Sequence, residues 1–246
     1  LERFASVAVA PAFSVAALVI LGVVLNAVHV RCDGWMLLLA CAALCLLIYG
    51  VCRVLRGLRG VDGRTHLTRN AVDGEWVLVA LYIGVAAAVS LVVFVHAMDD
   101  PVSFSRNDDT TVHLSVVRGF LDSGTFSTLN VTKYLDLGES GGYYPAAWHV
   151  VTAVVASLVG NQVALATNAM IFVVCAFVLP IGVLFLLQQL FPDNKLALYV
   201  GSLFSVAFCG YPWGFIVFGQ LLSNLLSFAL IPGALGLLIG GLSVSD

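Results

Sequence analysis

The run Trp76–Met98, WVLVALYIGVAAAVSLVVFVHAM, gives way at once to Asp99-Asp100-Pro101, and that boundary decides how the chain folds. About 20 consecutive apolar residues cross a bilayer as one helix, because hydrocarbon offers backbone N–H and C=O groups no other partner. The segment that follows, residues 99–142, is polar and holds half of the acids of the chain against Arg106, Arg118 and Lys133 as its bases. Working outward, similar apolar runs cover Ala5–Val28, with Pro11 near its start, and Trp35–Val51, after the turn Arg31-Cys32-Asp33-Gly34. Beyond the polar segment come Tyr143–Val159, Val163–Leu187, Leu196–Phe208 and Phe215–Leu242. The expected architecture is all-α, a polytopic transmembrane helix bundle of seven spans. Tyr143–Val159 is the shortest of them, short enough to be re-entrant.

Composition agrees. Of 246 residues, 61% are hydrophobic and 10% charged, too little charge to cover a soluble domain of this size. A net charge of −3 with no basic stripe argues against a nucleic-acid partner. The chain begins at Leu1 and stops at Ser245-Asp246 soon after an apolar run, which reads as a piece of a longer polytopic protein. The first run is too long for a signal-peptide core and counts as a span. Of the six cysteines, all but Cys32 lie in apolar runs, and no CxxC pair suggests zinc or redox chemistry.

Arg53, Arg56, Arg59, Arg64 and Arg69 supply five of the eleven basic residues and fall between the second and third runs. Cytoplasmic loops collect such residues, so residues 53–74 are expected inside, the N-terminus cytoplasmic and residues 99–142 extracytoplasmic.

Within the polar segment, Asn107-Asp108-Asp109-Thr110-Thr111-Val112-His113 opens a predicted helix. Asn107 or Asp108 can cap it, Val112, Val116 and Phe120 line one face, and Gly124 can end it. Such an amphipathic helix is expected at the membrane surface. Asp109 and His113 are four residues apart and share a face, while Asp108 sits in the first turn, where the helix dipole favours a carboxylate. This group could deprotonate an alcohol or bind a divalent metal, or it could simply cap the helix and form an exposed ion pair. Tyr143, Tyr144 and Trp148 suit an interfacial aromatic belt. His149, just inside an apolar run, needs a partner or a wet cavity. In the last span Gln220, Ser223, Asn224 and Ser227 form a polar stripe, and Gly236 and Gly240 a small-residue spacing, both suited to helix packing. Asn130-Val131-Thr132 matches a glycosylation sequon.

The order of these elements resembles the GT-C membrane glycosyltransferases, which include the protein mannosyltransferases, the aminoarabinose transferases and the catalytic subunits of oligosaccharyltransferases. Asn107-Asp108-Asp109 to His113, Tyr144-Pro145 to His149, and Gly219-Gln220 to Pro232 are more similar still to a bacterial family of large uncharacterised membrane proteins with that layout. The likeness spans Trp76 to Gly241. It implies two parts: residues 1–75, a two-span extension with the basic cytoplasmic loop, and residues 76–246, a partial GT-C-like core carrying the external loop 99–142. It also implies a sugar donor linked to polyprenyl phosphate, a glycan, lipid or protein acceptor, and inversion at the anomeric carbon. Asp108 and Asp109 match the catalytic base, with Asp108 favoured. His113, Arg118, Tyr144, Trp148 and His149 are the residues expected to bind substrate, Arg118 as the cation facing the departing phosphate. Many GT-C relatives need no metal, so no cofactor is assigned, and a divalent metal stays open. The two spans ahead of the core depart from the usual GT-C pattern. A transporter or flippase for a lipid-linked or small polar substrate, and a non-catalytic assembly partner, are the other readings.

Overall fold

The computed structural model describes residues 2–59, 75–105, 108–135 and 143–242. Among them the regular structure is entirely helical, and six stretches are long and apolar enough to cross a bilayer: Phe4–Ala27, Gly34–Leu58, Trp76–Val95, Val163–Leu190, Lys195–Val217 and Leu222–Leu242. The chain is a multi-pass membrane protein with an all-α bundle. The first three crossings are α1 (Glu2–Ala27), α2 (Gly34–Arg59) and α3 (Glu75–Ser90), the last extended by a wide π-helical turn over Leu91–Val95. Asp33 starts α2 by accepting from the Met36 N–H at 2.7 Å, the expected role of an acid at a helix N-terminus. The polar segment contains α4 (Asp108–Ser123) and leads to α5 (Ala147–Leu158). The fourth crossing joins α6 (Val163–Val173) to α7 (Leu179–Leu190) through a second wide turn. The fifth runs from α8 (Lys195–Phe204), capped by the Asn194 side chain, to the short α9 (Phe215–Val217). The sixth is α10 (Leu222–Leu242).

One expected span is therefore not a crossing, and the boundary between two others moves. Leu196–Phe208 and the beginning of Phe215–Leu242 belong to one kinked crossing, and the chain reverses between Phe218 and Leu221 rather than at Cys209–Gly214. The run Tyr143–Val159 yields only the 12 residues of α5, about 18 Å of helix against a hydrocarbon core of about 30 Å.

Contacts show where α5 lies. Its first turn meets α4 through His149 and His113, and its last turns, at Val154 and Ser157, press against Gly34 at the start of α2. The same end of the bundle holds the Cys32 N–H bonded to the Gly124 carbonyl at 2.9 Å and the Asn130 amide bonded to Asn26 at 2.7 Å. It also holds Asn168, near the start of the fourth crossing, donating to the Pro101 and Ser103 carbonyls at 2.9 and 2.7 Å. At the other end, Tyr82 donates to the Leu198 carbonyl at 2.8 Å, and Phe4, Leu78, Leu184 and Phe185 pack together. So α5 begins and ends at one end of the bundle. Polar segment, α5 and the α1–α2 turn make one layer over six crossings.

That layer has its own core. Val116, Val117 and Phe120 of α4, with Phe126 and Val131, are buried against Leu18, Cys32, Leu37 and Val150. Fully burying a side chain of this size contributes about 1.5–3 kcal/mol, so the segment is packed down rather than draped over the surface. Farther along, α10 closes on α7, with Gly233 beside Gly182 and Gly236 against Phe185. This is the packing that small residues between membrane helices allow. Of the polar stripe, Ser227 bonds within α10 to the Ser223 carbonyl and Asn224 is exposed, so neither bridges helices. The sequon amide of Asn130 is taken up by its bond to Asn26. Arg64, Arg69, Arg106 and Asn107 lie outside the described residues.

This layout makes a topological prediction. With the native cysteines replaced, Asp100→Cys and Asn161→Cys should react with a membrane-impermeant thiol reagent from the same side, and Asp193→Cys from the opposite side. Had Tyr143–Val159 crossed the membrane, Asn161→Cys would label from the side opposite Asp100→Cys, and Asp193→Cys would label with Asp100→Cys.

Candidate functional site

The site forms where the first turns of α4 meet the reversal between the fifth and sixth crossings. Asp108 and Asp109 open α4 with exposed side chains, and Thr110, His113, Val116, Val117 and Phe120 turn inward. Inward positions three or four residues apart make one helical face, which is why threonine and histidine share it with the apolar residues. Gly124, at φ +64°, ends α4, and its N–H donates to the Phe120 carbonyl at 3.0 Å.

Opposite that face the membrane helix is interrupted. Gly219 and Gln220 both have positive φ, +77° and +48°, and the Leu222 N–H turns back to the Gln220 carbonyl at 2.7 Å. A left-handed conformation is costly for a side chain such as glutamine and persists only when its surroundings hold it. Here α4 holds it. Thr110 Oγ1 donates to Gln220 Oε1 at 2.8 Å, with both residues buried. The His113 ring lies beside the Gln220 backbone. The Asp109 carboxylate lies so close to Gly219 that a Cβ there would stand 2.5 Å from Oδ2.

Behind His113 sits His149, with no exposed surface, and Nδ1 of the first is 2.7 Å from Nε2 of the second. Tyr144 packs its ring edge-on to His149 at 5.5 Å. Burial pushes His113 below the usual histidine range, while the Asp109 charge and the Gln220 backbone act in the opposite direction. Both facing nitrogens of the histidine pair are committed to each other. Among the described residues no three His, Cys, Asp or Glu side chains are grouped to hold a metal ion. The geometry fits proton handling rather than metal ligation.

Of the residues expected from sequence, Asp109, His113, Tyr144 and His149 are brought together. Asp108 is next to them but directed to the surface. Arg118 is on the other side of α4, with its Nε 2.9 Å from Asp122 and both side chains more than half exposed, so it does not face the cluster. Trp148, expected at an interface, is 1% exposed and packs among Leu179, Leu222 and Leu225. The reason is that α5 is wrapped by α2, α4 and α6 instead of entering the lipid on its own. Thr110 and Asn168 were not singled out from sequence. Asn168 had a signal, an amide within an apolar run, whereas Thr110 had none, since its partner is 110 residues away.

The family of unknown function DUF6541 matches residues 1–245. The chain belongs to that family. No curated protein and no solved structure matches it. Membership in DUF6541 brings no activity with it, so a role for the DUF6541 site rests on its own chemistry.

The Gly219 contact gives a direct test. Gly219→Ala should destabilise the protein by about 1–3 kcal/mol, because it places a methyl on Asp109 and forces alanine to positive φ. Gly84→Ala, in a helix with open space around it, should instead stabilise by about 0.5–1 kcal/mol. Thermal unfolding in detergent reads both, and equal effects at the two glycines would show that the close approach is absent.

Proposed function

We propose that the chain is the core of a membrane glycosyltransferase that moves a sugar from a polyprenyl-phosphate donor to an acceptor hydroxyl at the extracytoplasmic face. The observation that carries this reading is the placement of Asp109: a carboxylate at the outer layer of the bundle, against a break in a membrane helix and one turn from a buried histidine pair. A donor with its sugar phosphate at the headgroup level and its lipid tail in hydrocarbon would reach such a carboxylate from the membrane. Asp109, rather than Asp108, is the base in this scheme, because its carboxylate reaches the reversal at Gly219. The acceptor oxygen would bond to the anomeric carbon as the bond to phosphate breaks. The electron pair would leave with the lipid phosphate and the hydroxyl proton would pass to Asp109. One base suffices for displacement with inversion. Arg118 would meet a phosphate only at the surface, through the outer face of α4.

One observation favours a second reading. The crossings are interrupted by wide turns at Leu91–Val95 and Val174–Val178 and by the reversal at Phe218–Leu221, and broken helices are common in transporters. Against it, the described stretches Phe4–Ala27, Trp76–Val95, Val163–Leu190 and Leu222–Leu242 carry no Asp, Glu, Lys or Arg to couple transport to an ion.

The test uses membranes bearing the full-length protein and a polyprenyl-phosphate hexose labelled in the sugar. Asp109→Asn should lower transfer by about 100-fold or more, the usual contribution of a general base, and Asp108→Asn by much less, with expression unchanged. Full transfer by Asp109→Asn removes the base. Movement of label into sealed vesicles with no covalent product would replace the transferase with a transporter.

A further inference from the structure

The histidine pair has a far end. His149 uses Nε2 toward His113, and its other ring nitrogen, Nδ1, is buried without a hydrogen-bond partner. Thr152 Oγ1 is buried and unpartnered as well, one turn farther along α5 on the same face. Buried polar atoms are costly when left alone, so two neighbours of this kind mark a place for water, which donates and accepts at once.

The pair also sets out its own protons. One proton lies between His113 Nδ1 and His149 Nε2. When His149 supplies it, neutral His113 carries its N–H at Nε2, and His149 Nδ1 is a bare lone pair open to protonation.

We propose that His113 and His149 form a proton relay between a buried water site at His149 Nδ1 and Thr152 and the Asp109 carboxylate. A proton arriving through that water binds His149 Nδ1. The bridging proton then moves from His149 Nε2 to His113 Nδ1, which already has N–H at Nε2. The positive charge appears on His113, one turn from Asp109. Loss of the Nε2 proton from His113 toward Asp109 completes the transfer and leaves protons at His149 Nδ1 and His113 Nδ1, so the opposite transfer then starts at His113 Nε2, with no other reactant. The charged or titratable groups facing the pair are Asp109 and, beyond it, Asp108 from α4, together with the Tyr144 ring. α6 and α10 bring none, α5 brings His149 alone, and the thiols of Cys32 and Cys41 belong to the apolar core packed on α5. The relay does not depend on sugar transfer. In the transferase it would clear the base for the next turnover.

Histidine-selective 15N labelling of the full-length protein in nanodiscs tests this without an activity readout. His113 and His149 should share one hydrogen-bonded proton and take up a single proton in one coupled step, below the usual histidine range. Thr152→Val, which removes only the hydroxyl, should shift that step by roughly half a pH unit or more. His149→Gln should abolish the coupled step at His113, and if that variant fails to assemble, Thr152→Val decides alone. Independent titration of the two histidines overturns the relay, and an unmoved step in Thr152→Val overturns its buried end. Loss of transfer in Asp109→Asn with the coupled step intact would separate the relay from the transferase reading, as would the converse.

Discussion

Inside a bilayer an interrupted helix is costly, and the reversal at Phe218–Leu221 is braced by a helix that lies outside the crossings. The contact between α4 and Gly219-Gln220 is thus structural and chemical together. The strained conformation of Gln220 is held by Thr110 at its side chain, with the His113 ring beside its backbone. The same contact places Asp109 against Gly219 and leaves His113 facing His149. Had the fifth and sixth crossings been joined by an ordinary solvated loop, α4 would have no polar partner there. Its threonine and histidine would then be buried at a cost of about 1–3 kcal/mol per unmade bond.

Much of this was legible in the amino-acid pattern. Long apolar runs report crossings directly, because length and hydropathy are all that a span requires. The helix from Asp108 to Ser123, its apolar face and its end at Gly124 follow from spacing and a single glycine. What the pattern could not settle was the path between spans. Tyr143–Val159 looks like a short crossing because its side chains are apolar, and they are apolar because α5 is enclosed by other helices rather than by lipid. Burial in protein and burial in lipid select the same residues. Likewise Cys209-Gly210-Tyr211-Pro212-Trp213-Gly214 carries the residues of a turn yet lies within a crossing, while the reversal falls at Gly219-Gln220, where one glycine is the only local mark.

The site shows the same division. Asp109 and His113 could be grouped from their four-residue separation, and His149 flagged as a histidine in apolar surroundings. Their union depends on contacts between residues far apart in the chain, 36 positions for the histidines and 110 for Thr110 and Gln220. Arg118 illustrates the limit from the other side. Its charge suits a departing phosphate, but nine residues from Asp109 is two and a half helical turns, which puts it on the opposite face. Periodicity alone is enough to reach that conclusion.

The depth of the ionisable groups weighs on what the site does. A carrier that couples transport to ions needs charge within its crossings, where each such group is expensive and must be offset by partners. Here the acids are exposed on the first turn of α4, in the layer at one end of the crossings, and only imidazoles lie farther in. In the transferase proposed above, a base at that end would work on a hydroxyl arriving from water and a phosphate anchored in lipid, because both would reach that level without leaving their own solvent. Histidines are suited to the position behind it: they can carry a proton inward while remaining uncharged at rest, so the protein avoids a standing charge in its interior. The arrangement of one exposed carboxylate backed by two buried imidazoles therefore favours chemistry at the membrane surface over movement of a charged substrate through the bundle.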